Sequence, residues 1–242
     1  MSIHRHIPDA VYRSWSQLSQ SGLIHKVTGT PPTGRNLLVG QVLHAAVFEG
    51  SDAMNLRYHV TDDDFKLNTK AGKARMLQTE CETGKQVLRK SEFEQVRGMY
   101  HAVMEATESR ELIDILQETE LSVCGDLEKV PCKARIDGII GHGLYDLKTT
   151  HCLSRAEFRD RFVKYRYHVQ AAWYVDLFPQ AEFFTHICVS SEKPHPCWVE
   201  RAPPIVLEFG RQWYTDWLNY FKRKGELTDA STDAAANQET AA

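Results

Sequence analysis

The sequence predicts an α/β fold in which one central sheet is flanked by helices, with elements in the order helix, three strands, helix, strand. Three observations predict it. Residues 36–48 carry Leu37, Leu38, Val42, Leu43, Ala46 and Val47 at helical intervals, which gives a helix with a wide buried face. Residues 133–139 and 144–149 are strand-like runs on either side of Gly141-His142-Gly143, whose glycines allow the positive φ of a tight turn. Residues 167–177 then read as a helix stopped by Pro179, and 183–189 as a further strand.

The rest of the chain fits around these elements in order. Residues 1–9 are expected to be a ragged start and 10–21 a short helix. Pro31-Pro32-Thr33-Gly34 is a loop, and 57–65 is a short strand running into Asp62-Asp63-Asp64, an N-cap and solvated turn. Residues 70–116 are mostly helical. Within them 91–115 form one long amphipathic helix on Phe93, Val96, Tyr100, Val103, Met104 and Leu112. Residues 118–126 supply the first strand of the sheet. Ser154 caps a helix over 155–163, with Glu157 in the capping-box position. Residues 197–200 and 206–208 read as short strands, and 209–221 as the closing helix. The domain is expected to span 1–224 with its core at about 36–210. Residues 225–242, rich in Ala, Thr and Asp, read as a disordered tail.

With 242 residues the chain is long enough for one substantial domain and short for two. A hydrophobic content of 42% and a charged content of 25% are those of a soluble globular protein. A net charge of −3 excludes wholesale electrostatic attraction to DNA but leaves room for a local basic channel. The cysteines at 81, 124, 132, 152, 188 and 197 form no C-x-x-C pair and no secretory leader precedes them, so they read as free thiols in a reducing cytoplasm. No apolar run approaches the roughly 18 residues of a membrane span.

The chemistry converges on one stretch. Residues two apart on a strand face the same way, so Asp146 and Lys148 project together, and a hairpin brings Asp137 beside them. Two carboxylates repel unless a cation lies between them, and hard oxygen ligands suit Mg²⁺ or Mn²⁺. A lysine beside such a metal can orient or deprotonate a water, so the set suits phosphodiester hydrolysis. Arg155, Arg159, Arg161, Lys164 and Arg166 form a basic connector between this strand and the next helix, placed to meet DNA phosphates or simply to balance Glu157 and Asp160. Lys70, Lys73 and Arg75 are open to the same two readings. His44 alone on its helix reads as a satisfied core histidine.

These residues also carry a resemblance. Asp137 followed by Asp146-Leu147-Lys148 resembles the D…(D/E)-x-K signature of the PD-(D/E)xK nuclease superfamily, without the proline that names it, since Ile136 stands before Asp137. Gln170 and Tyr174 resemble the Q-x-x-x-Y motif of its RecB-like branch, and Gly40 to His44 with Glu49 resembles that branch's G-x-x-x-H helix. Together with residues 69–73 (T-K-A-G-K), the chain is most similar to the RecE (exonuclease VIII) type phage and prophage exonucleases over roughly residues 10–210.

The resemblance implies a mixed αβββαβ core and a metal-dependent exonuclease that digests linear double-stranded DNA from 5′ ends and leaves 3′ single strands for recombination. It implies Mg²⁺, with Mn²⁺ as an alternative, held by Asp137, Asp146, the Leu147 carbonyl and His44. Lys148, Gln170 and Tyr174 complete the catalytic group. It further implies a homo-oligomeric ring, a RecT-like single-strand annealing partner, and a phage- or prophage-encoded protein in the bacterial cytoplasm. Cys188 and Cys197 do not make the tight cysteine trio of the iron–sulfur members, so no cluster is expected. The alternatives are an endonuclease of the same superfamily and a catalytically silent module that binds DNA ends.

Overall fold

The computed structural model describes residues 1–30, 34–62 and 66–229. The expectations for 31–33, 63–65 and the tail beyond 229 lie outside the described residues. The elements are β1 (Ser2–His4), α1 (Asp9–Ser14), β2 (Leu18–Ser19), α2 (Gln20–Thr28), α3 (Arg35–Phe48), α4 (Gly50–Arg57), β3 (Tyr58–Val60), α5 (Lys70–Thr83), β4 (Gln86–Leu88), α6 (Lys90–Glu105), α7 (Thr107–Asp114), β5 (Glu118–Leu127), β6 (Val130–Ile140), β7 (Gly143–Thr150), α8 (Arg155–Arg161), α9 (Tyr167–Leu177), β8 (Phe183–Ser190), β9 (Cys197–Arg201) and α10 (Pro204–Arg223).

The central sheet is mixed, in the order β1-β5-β6-β7-β8-β9, with the short β2 added beside β6. β5, β6 and β7 are antiparallel neighbours, whereas β7 and β8 run parallel, joined by the crossover through α8 and α9. The αβββαβ order read from the sequence is therefore present as α3, β5, β6, β7, α9, β8. Apolar side chains divide into two cores. Val42, Leu43, Val96, Met99 and Val103 of α3 and α6 pack on Leu147, Ile187 and Val189. Val169 and Trp173 of α9 and Leu218 of α10 pack with Val123, Ile136, Leu144 and Phe184.

Several elements differ from the sequence expectation, each for a local reason. The start is not ragged, because β1 pairs antiparallel with Ser122–Cys124. The helix expected over 10–21 is only α1; Leu18 and Ser19 join β6 instead, and Ser19 then caps α2 by accepting from Gly22 N at 3.1 Å. The helical stretch over 70–116 is interrupted by Gly84, at φ +66°, and by β4, which pairs parallel with β3. The long helix breaks at Ala106, where the buried Ser109 hydroxyl donates to Val103 O at 2.5 Å and Ala106 O at 3.0 Å. Residues 206–208 belong to α10, which Pro204 starts from the first helical position. At the β6–β7 turn only Gly141 takes positive φ; Gly143 lies in β7, where a Cβ would come within 2.5 Å of the Phe183 ring.

Ahead of the site, a buried carboxylate locks the two helices of one layer together. Glu92, 5% exposed, accepts from Arg35 at the start of α3 and from Arg89 just before α6, while Arg35 also donates to Val87 O at 2.7 Å. Burial alone would raise the Glu92 carboxyl, but the two guanidiniums and the Arg89 amide outweigh it and hold it at about 2. A carboxyl depressed on folding contributes stability above its unfolded value and loses it as pH falls through the folded one. Unfolding by urea is therefore expected to lose on the order of 2 kcal/mol through Glu92 between about pH 4.5 and pH 2. In Glu92→Gln the acid loss over that window is correspondingly shallower; identical acid profiles for variant and wild type would refute the assignment.

Candidate active site

The site lies where the β6–β7 hairpin opens. These strands pair only from Gly138↔Tyr145 to Ile140↔Gly143, and beyond Tyr145 they part, while β7 continues along β8 as far as Thr150. A parting of this kind leaves backbone groups to be satisfied by other means. The Asp137 carboxylate fills the gap and accepts from Leu147 N at 3.0 Å. On β6, the Lys133 carbonyl accepts from the Trp173 indole of α9 at 3.1 Å.

Helices address the gap from two directions. Gly40 lets α3 approach β7 closely, since a Cβ there would meet Thr149 Oγ1 at 3.1 Å. One turn later, His44 places Nε2 3.0 Å from Asp137 Oδ2 and Nδ1 3.0 Å from Glu120 Oε1. From α9, Gln170 Nε2 donates to Asp146 Oδ1 at 2.6 Å, and Lys148 Nζ lies 2.8 Å from Asp146 Oδ2. Asp137, Asp146 and Gln170 are buried, with exposures of 9%, 3% and 8%. Tyr174, one turn beyond Gln170, is partly buried and packs edge-on against Phe184 at 5.7 Å; its buried phenol is held well above the usual range.

The charges in this cluster are strongly mutual. With a carboxylate 3.0 Å from each ring nitrogen, His44 is placed as an imidazolium between two anions. Burial works against that charge, but Asp137 and Glu120 overcome it and raise the imidazole well above its ordinary value. Asp137 would be raised by burial, yet His44, Lys148 and the Leu147 amide hold it low. Asp146 goes the other way: burial, reinforced by the Asp137 charge, raises it to about 6 against the pull of Lys148.

Glu120 is the residue that the sequence reading missed. It sits on β5 opposite Asp137, as the flanking pairs Thr119↔Gly138 and Leu121↔Ile136 show. Its backbone is left-handed at φ +54° in the middle of a strand, a conformation that costs a non-glycine residue about 1–2 kcal/mol. The signal that could have located it is the β5–β6 turn at Glu128-Lys129, both at positive φ, because that turn fixes the register.

A divalent cation fits this donor set. The buried oxygens Asp146 Oδ2 and Glu120 Oε1 have no directed hydrogen bond, and their close partners are cationic: Lys148 Nζ and His44 Nδ1. His44, Glu49 and Glu120 also bring ligand atoms within 4.8 Å of one another. Glu49, however, is engaged by Arg57.

The basic connector is dispersed. Arg159 pairs with Glu200 at 2.7 Å, Arg155 with Glu108 at 3.0 Å, and Arg161 with Glu157 at 2.5 Å. Lys164 lies over the Tyr165 ring at 6.0 Å, and Arg166 alone of the five lines a cavity that it shares with Lys148. The described cysteines are free thiols, and among the described residues no helix is long and apolar enough to cross a membrane.

Comparisons with known proteins point the same way as this geometry. A family model described as a PDDEXK-like domain of unknown function (DUF3799) matches residues 12–222. A crystal structure from Eubacterium rectale, described as a "Putative exonuclease", superposes with a TM-score of 0.60 at 13% identity, over 93% of this chain and 89% of that one. At that identity the likeness shows the shared fold. No curated protein matches the chain in sequence.

Proposed function

The chain belongs to the PDDEXK-like DUF3799 family, within the PD-(D/E)xK nuclease superfamily, and from that premise we infer that it is a divalent-metal-dependent deoxyribonuclease acting at the open end of the β6–β7 hairpin. The observation that carries this reading is the parting of β6 from β7, which gathers the buried Asp137 and Asp146, the half-buried Lys148 and the Leu147 backbone in one cluster.

In this reading Asp137, Asp146 and the Leu147 carbonyl hold Mg²⁺, or Mn²⁺ in its place, and His44 and Glu120 serve the same or a neighbouring ion. The metal, when bound, supplies charge neutralisation and Lewis-acid polarisation of the phosphate. Gln170 fixes one oxygen of Asp146 and leaves the other directed at Lys148. Lys148 orients the attacking water. Water adds to phosphorus and the bond to the departing strand breaks, leaving a phosphate on one new end and a hydroxyl on the other.

The finer reading is exonucleolytic digestion of linear duplex from 5′ ends, leaving 3′ single strands, in a ring that works with an annealing protein. It is supported by the resemblance to the RecE type at Gly40–His44 with Glu49 and at residues 69–73, beside the RecB-like motif at Gln170 and Tyr174. Arg166 and Lys164 are the connector residues least committed to carboxylates and the ones proposed to meet the DNA backbone. The test is digestion of a linear duplex beside a covalently closed circle of the same sequence. Loss of the linear DNA alone supports the exonuclease; cutting of the circle replaces it with an endonuclease.

A further inference from the structure

Beside the hydrolytic cluster lies a cavity of about 940 Å³ whose wall includes Lys148, Gln170 and Tyr174. Its wall carries five cationic side chains, Arg13, Lys133, Arg135, Lys148 and Arg166, against one carboxylate, Asp9. Asp9 is shared by Arg13 Nε at 2.6 Å and Arg135 Nη1 at 3.4 Å, Arg135 Nε also lies 3.8 Å from Glu120 Oε2, and Lys148 is paired with Asp146. Lys133 and Arg166 have no carboxylate within ion-pair distance among the described residues. Lys133 Nζ donates to Tyr12 O at 2.8 Å and Trp15 O at 2.7 Å, and an ammonium has a third proton to offer. Arg166 Nη1 meets Val163 O at 3.4 Å while its guanidinium lies over Trp213 at 5.2 Å. Lys133 is only 6% exposed, and a buried ammonium is costly without a counter-charge. The first turn of α2 opens on the same space through Ser19, Gln20 and Ser21, adding the partial positive charge of a helix N-terminus.

We propose that this cavity holds the terminal phosphate monoester of a nucleic-acid strand, while a neighbouring phosphodiester of that strand lies at Asp137, Asp146 and Lys148. The proposal rests on the nuclease reading above. Its physical basis is charge: a phosphate monoester carries about −1.5 to −2 at neutral pH, more than the single charge of an internal diester, so a surplus of cations discriminates an end from the middle of a strand. Lys148 and Gln170 belong to both the cavity wall and the hydrolytic cluster, so an anchored end sets which linkage is cut. The device therefore converts a general phosphodiesterase centre into one that starts from ends.

The test uses DNA hairpins with one open end and a fluorophore in the loop, bound to the full chain in chelator so that no cutting occurs. The open end carries a 5′-phosphate, a 3′-phosphate or hydroxyls only. Binding about tenfold tighter with one of the phosphates is expected, and which one identifies the end that is read. In Arg13→Gln, an exposed position, and in Arg166→Gln, that preference is expected to fall below about threefold. Equal affinity of the wild type for all three ends overturns the proposal, as does a preference that both folded variants retain. Parallel incubation with Mg²⁺ separates the two claims. End preference without cleavage of any hairpin removes the nuclease reading alone, whereas cleavage without end preference removes the phosphate site alone.

Discussion

Lys148→Ala is expected to slow DNA cleavage at saturating metal by about a thousandfold, while Mn²⁺ binds at least as tightly as in the wild type. The split outcome follows from the position of Lys148. Its ammonium lies 2.8 Å from Asp146 Oδ2, where it compensates a buried carboxylate that would otherwise be raised further. Removing it takes away the group placed to orient water, and with it a cation that competes with the metal for Asp146. Single-turnover cleavage and calorimetric Mn²⁺ titration read the two effects separately. If the variant lost metal binding as well, Lys148 would be a structural support of the site rather than its water-orienting group.

Asp137→Asn is expected to abolish both cleavage and metal binding. Asp137 ties the parted strands together through Leu147 N and faces His44, both on its Oδ2, so that oxygen is the hub of the cluster. The amide preserves shape and an acceptor for Leu147 N but removes the charge that a dication requires. A ligand that binds the native state at about a hundred times its Kd stabilises by about 2.7 kcal/mol, or several degrees of Tm in a chain of this size. The wild type should show that Mn²⁺-induced rise and Asp137→Asn should not. Glu120→Gln, which leaves Asp137 and Asp146 intact, is expected to weaken Mn²⁺ binding by only about tenfold. An undiminished thermal shift in Asp137→Asn would exclude the proposed ligand set.

The sequence made the heart of the site legible because its parts are local. Asp146 and Lys148 are two apart on one strand, Asp137 is one tight turn away, and Gln170 lies on α9, the second helix after that strand. What stayed hidden depends on register and on gaps. Glu120 reaches Asp137 only through the pairing fixed by the Glu128-Lys129 turn, which leaves no trace in hydrophobic periodicity. The opening of β6 from β7 is likewise invisible in residue pattern, although it explains why an aspartate must stand in for a backbone acceptor at Leu147 N. Residue pattern leaves the connector arginines open between a phosphate-binding patch and a balanced charged face, because Glu108 and Glu200, distant in sequence, arrive beside Arg155 and Arg159 only on folding. At the N-terminus, β1 and β2 are too short to show a strand pattern, and they hold their places through pairing with β5 and β6.

The most direct test of the central claim is cleavage of a labelled linear duplex by the purified wild type with Mg²⁺, then with chelator, then with Mg²⁺ restored. The account predicts shorter products with the metal, none with chelator, and recovery on adding the metal back. Failure to cleave any duplex with either Mg²⁺ or Mn²⁺, or cleavage that persists in chelator and survives Asp137→Asn, would contradict it.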